Sequence, residues 1–223
     1  MYFSHYNEDK CAIADITKMP SFFSDLIRDL SSTTFLAELE NLTRIRGLLA
    51  DPNLQGGGLH MTKRGGYLNI HADFTAHPIM RTWRRRINLL LYFNSQWDEG
   101  YEGHLELWAR DMTTCLQRVA PILNRCVIFN TDESSFHGVP TPLNCPASIT
   151  RNSLALYYYT ESNLKVKLRS TNYQTRPNTS DRNLLIWIDK LLVAIFTRLK
   201  SNFALSDEMM SKVLKRVKRR KRD

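Results

Sequence analysis

Apolar positions along this chain change period twice. In "PSFFSDLIRDL" (20–30) and "TTFLAELENLTRIRGLLA" (33–50) they recur at helical spacing, with Phe35, Leu36, Leu39 and Leu42 sharing one face. Two N-terminal helices are predicted there. The turn-rich "DPNLQGGG" ends that pattern, and short runs follow at 66–70, "RINLLLYF" (86–93), "HLELW" (104–108), "RCVIFN" (125–130) and "NSLALYYY" (152–159). Each has strand length, is rich in β-branched or aromatic residues, and is bounded by Gly, Asp, Asn or Pro. Closely spaced strands with no helical pattern between them favour an antiparallel sandwich or barrel over a parallel α/β sheet.

From 161 to 181 the chain turns polar, and helical spacing returns in "NLLIWIDKLLVAIFTRLKSNF" (183–203). The expected organisation is one domain over 1–162, a loop or linker over 163–182, and an amphipathic helix with a basic tail over 183–223. No internal repeat is found. Asp189 and Lys190 interrupt the last apolar run, which is too short to span a bilayer comfortably. That helix is left to pack on the domain, to form a homodimer, or to lie in a membrane interface through Trp187, Phe196 and the tail.

Charge sharpens this division. The formal net charge is +9, and "KVLKRVKRRKRD" (212–223), with eight basic residues and one Asp, supplies +7 of it. The body keeps about +2 (9 minus 7), which argues against a fold that binds nucleic acid as a whole. The four cysteines, Cys11, Cys115, Cys126 and Cys145, have no short paired spacing, so neither a disulfide framework nor a thiolate zinc site is indicated. A reducing compartment and a start without a signal-peptide pattern make the cytoplasm the expected location, with peripheral membrane contact as the variant.

Candidate chemistry begins in "YLNIHADF" (67–74). Residues two apart on a strand share a face, so His71 and Asp73 project together. A second histidine, His137 in "SSFHGVPTP", follows a buried-looking run. Two imidazoles and one carboxylate make the facial triad that holds non-haem Fe(II) and leaves coordination positions open. Arg151 opens "RNSLALYYY", where a guanidinium can grip a carboxylate at two points. "RTWRRR" (81–86) reads either as a binding element for an anionic substrate at a cavity mouth or as a solvated basic loop. His5 and His77 read as structural or surface residues, and His104 as facing either cavity or solvent. Tyr157 to Tyr159 read as packing residues.

In order, "HAD", "RRRINLLLYFNSQWDEGYEGHLELW", "CVIFNTDESSFHG" and "RNSLALYYYTES" resemble the Fe(II)/2-oxoglutarate-dependent oxygenase superfamily in its prolyl 4-hydroxylase-like branch, over roughly residues 56–162. The resemblance implies a mainly β (α+β) fold: a double-stranded β-helix, or jelly roll, with the N-terminal helices packed on one sheet and a C-terminal helix. It implies His71, Asp73 and His137 as iron ligands, Arg151 as the anchor of the distal carboxylate of 2-oxoglutarate, Tyr92 as a lining residue of the same pocket and His60 as a co-substrate contact. The implied activity is hydroxylation of an unactivated C–H bond with Fe(II), 2-oxoglutarate and O2, releasing succinate and CO2, with ascorbate as an accessory reductant. The expected substrate is a small molecule, a peptidyl residue or a glycan. Two other readings stand beside it: a peripheral membrane hydroxylase of a lipid-linked or glycan substrate, and a non-catalytic jelly-roll binding protein.

Overall fold

The computed structural model describes residues 2–167 and 169–177 and, beyond them, only Leu191 and Ile195, both helical. Apart from those two positions, the C-terminal helix and basic tail read from the sequence lie outside the described residues. The chain begins with two strands, β1 (Tyr2–His5) and β2 (Glu8–Ile13), then two helices, α1 (Ser21–Leu30) and α2 (Thr33–Thr43). Ten strands follow: β3 (Leu48–Ala50), β4 (Gly58–Thr62), β5 (Leu68–Ala72), β6 (Trp83–Tyr92), β7 (Leu105–Trp108), β8 (Cys115–Val119), β9 (Cys126–Asn130), β10 (His137–Val139), β11 (Arg151–Glu161) and β12 (Asn172–Tyr173).

The sheet is antiparallel throughout and runs β8-β7-β10-β5-β2-β4-β11-β6-β9. β2 is the seam between two four-stranded halves, β8-β7-β10-β5 and β4-β11-β6-β9, which curl toward each other as in a jelly roll. β1 adds to β2, β3 to β11 and β12 to β5. The mainly β architecture with helices on one sheet is as the sequence implies.

Strand alternation decides which half carries the helices. On β11, Leu154, Leu156 and Tyr158 point outward and meet Ile87 and Leu89 of β6 in a cluster that includes Ile27 of α1 and Leu39 of α2. Each fully buried aliphatic side chain there contributes about 1.5–3 kcal/mol relative to exposure. Tyr158 also donates its hydroxyl to the carbonyl of Leu30, 2.9 Å away, and so satisfies an end carbonyl of α1. The opposite face of β11, with Arg151, Ser153, Ala155 and Tyr157, lines a cavity of about 1060 Å³.

One predicted element is shorter than expected. Helical spacing continues to residue 50, yet α2 stops at Thr43, Arg44 takes a left-handed conformation (φ 61°), and Leu48–Ala50 pair with Tyr158–Thr160 as β3. Ladder hydrogen bonds to β11 outweigh continuing the helix over the seven residues 44–50, and Gly47 (φ 71°) supplies the turn.

Candidate active site

His71, near the end of β5, and His137, the first residue of β10, are direct cross-strand partners with ring centroids 4.5 Å apart. The close approach of these strands depends on Gly138, where a Cβ would lie 2.7 Å from the carbonyl oxygen of Leu68 and 2.8 Å from that of Asn69. The register slips here: two steps on β10, from His137 to Val139, match three on β5, from His71 to Leu68. This bulge turns Leu68 and His71 toward the same cavity although their spacing is odd. Asp73 follows two residues after His71, on the same side. One ligand-type atom from each of His71, Asp73 and His137 falls within 4.8 Å of the others.

The hydrogen bonds fix which ring atoms face inward. His71 Nδ1 lies 2.8 Å from the carbonyl oxygen of Asn69, and His137 Nδ1 lies 3.0 Å from that of Ser135. A carbonyl only accepts, so both Nδ1 atoms carry the proton and both Nε2 atoms present lone pairs. These lone pairs face Asp73 at 3.5 Å (His71 Nε2 to Oδ1) and 3.3 Å (His137 Nε2 to Oδ2). Acceptors facing acceptors at such distances repel unless a cation lies between them. The protonation states agree, because burial, then His137, lowers the His71 pKa and keeps the ring neutral. Burial pushes the Asp73 carboxyl up, but the adjacent Arg85 cation outweighs it and holds it well below the usual range. The donor set therefore fits Fe(II).

Arg85 was hidden in the sequence as part of "RTWRRR". It is buried, lies 2.9 Å from Asp73 Oδ2, donates through Nε and Nη2 to Asn88 Oδ1 at 2.9 and 2.7 Å, and stacks 3.4 Å over the Tyr157 ring. Asn88 in turn donates to Asp73 Oδ2 at 2.8 Å. A bulge in β6 explains its position. Tyr158 pairs with Ile87 but Tyr159 with Arg85, so Arg86 is the extra residue and Arg85 swings to the Asn88 side.

Arg151 lines the cavity, is buried, and has no carboxylate partner among the described residues. Its Nε donates to the carbonyl of Gly103 at 2.7 Å, and its guanidinium sits 4.9 Å over the Tyr92 ring. Tyr92 is thus one layer behind the cavity wall, supporting Arg151 from below, with its hydroxyl buried and lacking a hydrogen-bond partner among the described residues. His60 lies on the cavity wall, and Ser153 pairs with both His60 and Tyr92 across the sheet. Burial, then Lys10, pushes the His60 pKa down to about 3.

His77 and His104 lie elsewhere: His77 is buried 3.1 Å from Asp51, and His104 Nε2 is 2.9 Å from Glu99. The stretch expected to be a loop or linker comes back to the site. β12 pairs with β5, Tyr173 opposite His71 at a ring distance of 5.5 Å, and Arg169, Ser170 and Thr171 line the cavity. A single tyrosine in a polar run gives no sequence signal for such a contact.

Residues 57–159 match the family model described as 2OG-Fe(II) oxygenase superfamily. A comparison with curated proteins finds no match. Among solved structures, a Trichoplax adhaerens prolyl hydroxylase in complex with a hypoxia inducible factor oxygen degradation domain peptide fragment is 17% identical with a TM-score of 0.44, covering 68% of this chain and 62% of that one. A Pseudomonas putida prolyl-4-hydroxylase is 16% identical with a TM-score of 0.46, covering 73% and 78%. A Phytophthora capsici prolyl 4-hydroxylase is 23% identical with a TM-score of 0.45, covering 86% and 58%. The chain therefore spans less than two thirds of the length of the Trichoplax and Phytophthora proteins. The segment that matches the family model contains His71, Asp73, His137 and Arg151, all four lining one cavity, so the similarity to the 2OG-Fe(II) oxygenase superfamily and the donor cluster fall on the same stretch of the chain.

Proposed function

We propose that this chain is an Fe(II)- and 2-oxoglutarate-dependent dioxygenase of the prolyl 4-hydroxylase-like kind, which hydroxylates an unactivated C–H bond and releases succinate and CO2. The observation that carries the reading is the convergence of two unprotonated Nε2 atoms and one ionised carboxylate in a cavity that also holds an unpaired guanidinium. His71, Asp73 and His137 hold the metal, and Arg151 receives the distal carboxylate of 2-oxoglutarate.

When bound, the iron and 2-oxoglutarate supply the oxidising chemistry with O2. The chain's own part is placement. The Asn69 and Ser135 carbonyls fix the imidazole tautomers. Arg85 and Asn88 occupy Asp73 Oδ2, so Oδ1 is the oxygen available to the metal. Tyr92 and Gly103 fix the plane of Arg151, and neutral His60 and Ser153 offer polar contacts without adding charge. Leu68, Leu90 and Ala155 line the walls with apolar surface and limit water.

The test is anaerobic addition of 2-oxoglutarate to the Fe(II)-loaded protein, with a weak visible metal-to-ligand band as the expected result. Succinate release should then appear with O2 and disappear in His137→Ala. A binding module would show neither the band nor any turnover of 2-oxoglutarate.

A further inference from the structure

The charges around the cavity leave one guanidinium without a role. Five basic side chains line it: Lys10, Lys18, Arg81, Arg151 and Arg169. Lys10 is paired with Glu8 at 3.2 Å, Lys18 with Asp15 at 3.0 Å, and Arg169 with Glu133. Arg151 is committed to the co-substrate under the reading above. Arg81 has no carboxylate partner among the described residues, and its Nε is sealed from solvent with no hydrogen-bond partner.

The sealed Nε is itself out of a ligand's reach, but the side chain lines the cavity without an ion pair among the described residues, so a ligand oxyanion would meet it at the terminal nitrogens of the guanidinium. Its position suits that use. Arg81 lies in the segment between β5 and β6, beside the cavity-lining Pro78 and Ile79, and Ile79 is 59% exposed where the cavity opens. The main chain is pinned on both sides: Val166 donates to the Arg81 carbonyl at 2.9 Å, and Trp83 donates to the Met80 carbonyl at 2.8 Å. The side chain therefore starts from a fixed root. The lining of the same cavity also carries apolar side chains, Ile13, Phe74 and Ile79 among them.

We propose that Arg81 is a specificity residue that receives an anionic group of the primary substrate, a carboxylate or a phosphate, while the apolar remainder packs on Ile13, Phe74 and Ile79. The proposal rests on the dioxygenase reading of the same cavity. It differs from the co-substrate contact because Arg151 enters from β11, beside Ser153 and His60, whereas Arg81 belongs to the loop at the opening. A planar guanidinium matches either oxyanion through paired hydrogen bonds, and apolar neighbours strengthen such a contact by excluding water.

The test uses the full chain loaded anaerobically with Fe(II) and 2-oxoglutarate, and two pairs of probes of similar shape: N-acetyl-leucine against N-acetyl-leucinamide, and hexyl phosphate against hexanol. Calorimetry reads the binding. The wild-type protein is expected to bind at least one anion about tenfold tighter than its neutral partner. R81Q should lose that preference, R81K should keep part of it, and R84Q, an exposed change in the same stretch, should keep all of it. Equal affinity for the charged and neutral members of both pairs in the wild type overturns the proposal, as does an undiminished preference in R81Q. A matching loss of 2-oxoglutarate affinity in R81Q also overturns it, by placing Arg81 in the co-substrate site. Failure of the wild type to take up Fe(II) or 2-oxoglutarate removes the dioxygenase reading instead, and the anion preference is then measured on the unloaded chain.

Discussion

Arg85 Nη2 lies 2.9 Å from Asp73 Oδ2, so the carboxylate that faces two imidazoles is held from behind by a buried cation. The contact keeps Asp73 ionised and fixes which of its oxygens turns inward. Replacing Arg85 with Met should weaken Mn(II) binding by roughly 10–100-fold, the usual effect of losing an outer partner of a metal ligand. R85K should recover part of it. Titration calorimetry on protein shown to be folded checks this, and wild-type affinity in R85M would remove the positioning role.

Arg151→Gln should raise the dissociation constant for 2-oxoglutarate by about tenfold or more, because one charge-assisted, two-point contact is lost. Metal affinity should stay as it was. An unchanged constant would assign the distal carboxylate to a different residue.

Gly138→Ala tests the approach of β10 to β5. The added methyl meets two backbone carbonyl oxygens, of Leu68 and Asn69, which have little room to move. A loss of about 1–3 kcal/mol is expected, as for other overpacking changes, with weaker metal binding because His137 is displaced. Urea unfolding and Mn(II) titration measure the two effects separately.

His60 carries a pH signature. Its pKa falls from 6.5 to about 3 on folding, through burial and then the Lys10 cation. Between those values the unfolded chain binds a proton that the folded chain refuses. Stability contributed by neutral His60 is therefore full above pH 6.5 and is lost as pH falls toward 3. His60 lines the cavity and is only partly buried, so the loss is a fraction of the full shift. H60Q should lose less stability than the wild type between pH 7.5 and pH 4.5 in urea titrations of the metal-free protein. Parallel losses would rule His60 out as a contributor.

Alternating or apolar runs announced β5, β6, β7, β9 and β11, because each buries a face in a core that such patterns report. β2 was not legible: Glu8 and Lys10 turn into the cavity and give it a polar alternation. β10 is three residues long, too short for any period, and β8 is an edge strand whose middle residues are exposed. The three ligand-type residues and Arg151 were legible through their spacing and resemblance. Arg85 was not, since an arginine at the start of a strand looks solvated until a bulge turns it inward. Of "RTWRRR", Arg84 is exposed as the solvated reading has it and Arg81 lines the cavity, but Arg85 is buried against Asp73, which neither reading foresaw.

The strand that carries His71 borrows its outer neighbours from far apart in the chain, Glu8 at one end and Asn172–Tyr173 at the other. A recombinant fragment trimmed to the segment shared with the superfamily, or stopped near residue 162, would leave that border bare and invite edge-to-edge aggregation. The smallest useful expression unit consequently reaches from the first strands through residue 177. Because contacts so distant must form together, its refolding should be slow for its size.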